Sequence, residues 1–219
     1  AVYGLILWAV TGLTGSVAAL IAEEMGRRRH AVREVRRTVR MGLWLAVLCG
    51  LVGTALCLLG EPLMRLTGQD PEVTALSGEF LAILSFGLVP MAVAGVLRST
   101  LAALGRPMFT TLVAALMIGA NALGNYVLIE GHWGAPALGL NGSAIASGIT
   151  ALAFVATYAG AIAWDRRLRR YAMWGRWWIF DRERFFAIWR IGAPIGVTIV
   201  AEAGIFNAAA FMMGAISPV

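Results

Sequence analysis

The sequence predicts an all-α fold: a polytopic membrane helix bundle of six transmembrane helices. Three observations carry this reading. Hydrophobic residues make up 59% of the 219-residue chain and charged residues 14%, with a mean hydropathy of +0.77; soluble domains sit near half apolar and a quarter charged. The apolar residues gather into six segments, each near the ~20 residues that span a hydrocarbon core of about 30 Å. No long polar stretch leaves room for a separate soluble domain.

A bilayer offers backbone groups no water, so each segment is expected as a helix. The segments cover residues 1–22, 41–60, 80–104, 108–129, 142–164 and 191–216. Cys49 and Cys57 share the second, about 12 Å apart by helical rise. That is too far for a disulfide, and both read as small buried residues. Pro90, in "FGLVPMAVAG" of the third, removes a backbone donor and predicts a helix kink. Arg98, two turns later, reads as an anchor near the end of that helix. In the fifth, Gly142 and Ala146, like Ser143 and Ser147, are small residues four apart, which suit close helix packing. The chain is apolar from Ala1 and stops soon after an unbroken apolar run, so it is expected to be an internal piece of a longer protein.

The connections alternate in charge. Residues 23–40 hold seven Arg, residues 165–190 hold eight, and Arg98 and Arg106 flank the turn between the third and fourth segments. Thus 17 of the 18 Arg fall on one side, which the positive-inside rule makes cytoplasmic. The net charge of +6 is then a topology signal rather than a sign of nucleic-acid binding, and membrane lipid is the expected partner of the basic loops. In the loop "RRLRRYAMWGRWWIFDRERFFAIWR", Trp174, Trp177, Trp178 and Trp189 alternate with Arg, as befits a membrane interface. Asp181 followed by "RERFFAIWR" reads as an N-cap and a short interfacial helix. His30 and His132 are isolated in loops on opposite sides, and no metal-ligand, nucleophile or phosphate-loop motif occurs, so no enzyme activity and no cofactor is expected.

Polar residues inside the apolar segments are the candidates for function. Glu202 lies eleven residues beyond Ile191, about 16 Å into the bilayer by helical rise. A carboxylate near the midplane costs several kcal/mol unless a cavity, a cation or a polar partner receives it. Thr198 shares its helix face, and Asn207 follows in the same run; both are expected to line the cavity. Asn121 and Asn125, in "GANALGNYVLI", are four apart and present two amides on one face.

Several stretches resemble one family in order along the chain: "GVLRSTLAALGRP", "NALGNYVLIEGHWGAPALGLNGSAIASG" and "RIGAPIGVTIVAEAGIFNAAAFMMGAISPV", with "AALIAEEMGRRR" and "LTGQDPEVTALSGEFL" earlier. The family is that of multidrug and toxic compound extrusion (MATE) transporters. The resemblance implies a two-lobed, twelve-helix antiporter that exchanges Na+ or H+ for organic cations and drugs. It places this chain from the second helix to the seventh. Residues 1–164 become most of the first lobe, 165–190 a cytoplasmic linker with the interfacial helix, and 191–219 the first helix of the second lobe. Glu202 matches a cation- or proton-coupling acid, with no metal implied beyond Na+ there. Asn121 and Asn125 match polar positions of the first-lobe cavity, whose acidic residue would lie on the preceding helix. A bacterial cytoplasmic (inner) membrane is the implied location, and no protein partner is implied beyond the rest of the same chain. The alternatives are a lipid-linked oligosaccharide flippase of the same superfamily, which would need cations facing the cavity, and a structural membrane subunit, which would leave Glu202 without a role.

Overall fold

The structure, a computed structural model, describes residues 2–27, 32–62, 71–134, 136–171, 173 and 179–216; side chains are described for these except 2, 71–73 and 207–216. In order, the helices are α1 Val2–Arg27, α2 Val32–Leu58, α3 Pro71–Ser85, α4 Leu88–Ala103, α5 Pro107–Glu130, α6 Gly139–Trp164, the single turn α7 Arg166–Arg169, and α8 Arg182–Ile216. Six stretches of the described residues are long and apolar enough to cross a membrane, the third formed by α3 and α4 together. All six segments expected from the sequence are present.

Three local features differ from expectation. The third segment breaks into two helices at Phe86–Gly87, and Pro90 stands in the first turn of α4 rather than mid-helix. The reason is steric: the Pro90 ring excludes a helical carbonyl four residues earlier, at Phe86, and a first-turn position needs no N–H donor. The bend therefore lies one turn before Pro90. Secondly, residues 182–190 are not a separate interfacial helix. Asp181 does act as the N-cap, its Oδ1 accepting from the Arg184 N–H at 3.2 Å. The helix then runs unbroken to Ile216, across Pro194. Thirdly, the basic stretch 23–40 is mostly helix, as the ends of α1 and α2.

α1 and α4 form the middle of the bundle. α1 lies against α2, α4 and α8; α4 lies against α1, α2 and α6; α5 pairs with α6. Val17, Ile21, Val39, Leu43, Val96 and Leu97 are buried where α1, α2 and α4 meet. Leucines such as Leu51, Leu112, Leu116 and Leu152 point outward, the pattern of helices whose solvent is lipid. α1 and α8 cross at glycines. A Cβ on Gly12 would lie 2.8 Å from the Gly196 Cα, and one on Gly192 would lie 2.8 Å from the Leu13 carbonyl oxygen.

The basic ends of the helices gather at one end of the bundle and are tied by ion pairs. Arg184 of α8 reaches Glu24 of α1 at 2.8 Å and Glu34 of α2 at 2.7 Å. Arg37 of α2 donates to Asp181 at 2.6 Å and pairs with Glu34 at 3.0 Å. Partial burial alone would raise the Asp181 carboxyl, but the Arg37 side chain and the Arg184 N–H hold it below the ordinary carboxylate value. Nearby, Arg106 pairs with Asp165. Asp165 also accepts from the Arg167 N–H at 2.8 Å, and this bond leads the causes that lower its pKa.

Candidate functional site

Within the apolar bundle, α5 and α6 bring polar side chains together. Their approach depends on small residues. A Cβ on Gly124 would lie 3.3 Å from the Ala146 Cβ, and one on Gly142 would collide with the Leu128 carbonyl. At this spacing Asn121 and Asn125 of α5 face Ser147 and Thr150 of α6. Together they line a cavity of about 530 Å³ that Tyr3 of α1, Phe80 of α3 and Met91 of α4 complete.

The hydrogen bonds there run in one direction. Thr150 Oγ1 donates to the Ala146 carbonyl at 2.8 Å. Asn121 Nδ2 donates to Thr150 Oγ1 at 3.2 Å. Asn125 Nδ2 donates to Asn121 Oδ1 at 3.3 Å. The chain ends on Asn125 Oδ1, which is buried and has no partner. Buried polar atoms are almost always hydrogen-bonded, so Asn125 Oδ1 is an unsatisfied acceptor beside the cavity that Asn125 lines.

A smaller cavity, about 250 Å³, lies toward the basic end of the bundle. It shares Leu7, Met91 and Phe154 with the first and is otherwise lined by residues including Thr11, Arg98 and Tyr158. Arg98, expected as an anchor near the end of its helix, is exposed and also borders this cavity.

Glu202 is exposed on α8, together with Thr198 and Phe206. Gly192 and Gly196 pack on α1, and Glu202 lies about a quarter to a third of a turn round the helix from them. Thr198 Oγ1 is engaged with the Pro194 carbonyl at 2.9 Å. The Asn207 side chain lies outside the described residues. The structure therefore unites Asn121 with Asn125 but does not bring Glu202 or Thr198 to their cavity. Sequence reasoning missed Thr150 and read Ser147 as packing alone. Their spacing of three, on the helix that opens with the small-residue pattern, was the available signal. Among the described residues, no group of three or more His, Cys, Asp or Glu could hold a metal ion.

A family model described as MatE matches residues 1–127, more than half of the chain. The chain belongs to the MatE family. A curated relative from Brucella suis, named "Probable multidrug resistance protein NorM", is 41% identical over 94% of this chain and 44% of its own length. One of the same name from Mesorhizobium japonicum is 38% identical over 94% of this chain and 44% of its own. Among solved structures, the inward-facing conformation of a multidrug resistance MATE family transporter of the MOP superfamily aligns with a TM-score of 0.75. It does so at 21% identity, over 90% of this chain and 43% of that one. The MatE chain thus spans about half the length of the relatives it matches, and its fold matches the corresponding part of that solved structure.

Proposed function

We propose that the protein carrying this chain is a secondary active antiporter of the bacterial cytoplasmic membrane that exports organic cations and drugs in exchange for Na+ or H+. In this reading α1–α6 supply most of one lobe and α8 opens the second, with residues 165–190 as the link between them. The observation that carries it is the orphan Asn125 Oδ1 at the end of a polar chain inside an apolar bundle. Oxygen-rich, partly satisfied pockets between membrane helices are where transporters hold substrates and coupling ions. The MatE membership and the relatives named for multidrug resistance support the substrate class. Glu202 would be the ion- or proton-coupling carboxylate of the second lobe, with Thr198 and Asn207 beside it, its exposed face covered by helices of that lobe. Occupancy would shift the inward–outward balance only through differential affinity for the two states.

The lipid-linked oligosaccharide flippase is the second reading, and the cavity-facing Arg98 is the observation in its favour. A single guanidinium is a poor match for a multiply charged diphosphate, whereas it suffices for one carboxylate. The test is efflux of ethidium from proteoliposomes holding the full-length protein, under an imposed Na+ or H+ gradient. Gradient-driven efflux is expected, and its loss on combining Asn121→Leu with Asn125→Leu in well-folded protein. Efflux indifferent to both gradients would refute the antiport reading.

A further inference from the structure

We propose that the groove between α1, α2 and α8 holds an anionic glycerophospholipid of the leaflet at the basic end of the bundle, with one acyl chain along the groove and the phosphate on Arg182. This goes beyond the antiport reading and does not depend on what the protein carries.

The groove itself is the first argument. Its volume is about 470 Å³, and it shares no lining residue with either of the two cavities described above. Leu45, Leu48, Val52 and Leu56 recur at helical spacing on one face of α2 and line it together. None of its lining side chains carries a hydroxyl, an amide or a charge. Leu45 and Leu56 are separated by about 16 Å of helical rise, the depth of one leaflet in a hydrocarbon core of about 30 Å.

The second argument separates a lipid from a further helix. Where helices of this chain approach closely they do so at glycine, Gly12 on Gly196 and Gly142 on the Leu128 carbonyl, as membrane helices generally do. The rim of the groove is instead Leu48, Val52, Leu56, Phe186 and Trp189, all large and all exposed. Its glycine is already covered, since a Cβ on Gly53 would lie 2.6 Å from the Ile6 Cγ2, and Ala9 is set against Gly196. Projecting branched and aromatic side chains keep a helix backbone at a distance, whereas a flexible acyl chain fits between them through many dispersion contacts.

The third argument is the cation at the mouth. Phe185, Phe186 and Trp189 line the groove from α8, and Arg182 precedes them in the first turn of that helix, on the same face by helical spacing. Helical side chains lean toward the N-terminus, which carries the Arg182 guanidinium past the rings to headgroup depth. The acids nearby are taken: Arg184 holds Glu24 and Glu34, and Arg37 holds Asp181. Arg182 is exposed, and among the described residues it pairs with no acid. Glu183 lies about 100° round the helix, off this face. A guanidinium fork suits two phosphate oxygens, and the indole N–H of an interfacial Trp such as Trp189 suits the ester region below them.

The experiment uses the full-length protein in phosphatidylcholine vesicles with a trace of phosphatidylglycerol bearing a diazirine on one acyl chain. After photolysis the labelled peptides are mapped by mass spectrometry, and the melting temperature of each variant is recorded. Label is expected to concentrate on the Leu45–Leu56 face of α2 over the outward Leu112 and Leu116 of α5. Arg182→Gln is expected to lower the groove label about fivefold, the scale of one arginine at an anionic surface, and to leave the α5 label unchanged. Arg169→Gln, which removes an exposed charge from α7, is expected to change neither. Val52→Trp is expected to fill the groove and lower its label in protein that still melts cooperatively. The same diazirine on phosphatidylcholine is expected to label the groove about fivefold less, and excess inorganic phosphate is expected not to compete. A groove label no stronger than that on α5 would mean bulk lipid or a covering helix. An equal loss with Arg169→Gln would mean diffuse attraction, and displacement by inorganic phosphate would mean a free-anion site. Each of these results would overturn the proposal.

Discussion

The two ends of α8 carry charge in opposite circumstances. Arg184, in its first turn, lies between Glu24 and Glu34 and is capped by the Asp181–Arg37 pair. Glu202, past the glycine crossing with α1, stands on an exposed face. The helix and the chain are the same; the neighbours differ. Where this chain supplies its own counter-charges, the result is a rigid tie between α8 and the α1–α2 pair. Where no described residue supplies one, the charge stands exposed. The polar cavity repeats the contrast on a smaller scale, with three hydrogen bonds closed and one acceptor left open.

This comparison can be strained from the packed side first. Gly196→Val should have the largest effect, about 3 kcal/mol of destabilisation, because a Cβ there already meets the Ala9 carbonyl oxygen at 3.1 Å. Thermal unfolding and size-exclusion behaviour of the full-length protein would show it, and a wild-type melting profile would deny that the crossing is tight. Arg184→Met should cost on the order of 2 kcal/mol, since it leaves two part-buried carboxylates without their shared donor. Double-mutant analysis with Glu24→Gln should recover part of the loss.

The Asp181 pair has a pH signature. Its carboxyl is held below the ordinary value, so its contribution is present above the unfolded carboxylate pKa of about 4 and is lost as pH falls through the lower folded value. The melting temperature should stay flat in this contribution from pH 5 to 8, and Asp181→Asn should remove part of the acid limb below pH 4. The smallest effect belongs to Thr198→Ala, within about 0.5 kcal/mol, because the hydroxyl is exposed and bonds only its own helix. A larger loss of stability would show that the Thr198 hydroxyl bonds a group beyond its own helix.

The bundle was legible because membrane helices announce themselves by length and composition, and all six appear. The boundaries were less so. The break at Phe86–Gly87 was visible only as Pro90, since a proline marks the turn before it as readily as a kink at it. The interfacial helix failed because charge and Trp signal depth in a membrane, not an end of backbone helicity, and "RERFFAIWR" meets both descriptions. Asn121 and Asn125 were legible through their spacing. Thr150 was hidden, because a lone Thr in an apolar helix more often bonds its own backbone, which this one also does.

The proposal that Glu202 serves ion coupling while the Arg184 and Asp181 pairs serve structure meets its most direct test at Glu202 itself. Drug efflux by the full-length protein would be measured in proteoliposomes under an imposed Na+ or H+ gradient, with melting temperature recorded for each variant. Glu202→Gln is expected to melt like the wild type and to lose gradient-driven efflux, while Glu202→Asp is expected to retain part of it. Full gradient-driven efflux by Glu202→Gln, or a loss of fold as severe as that of Arg184→Met, would contradict the claim.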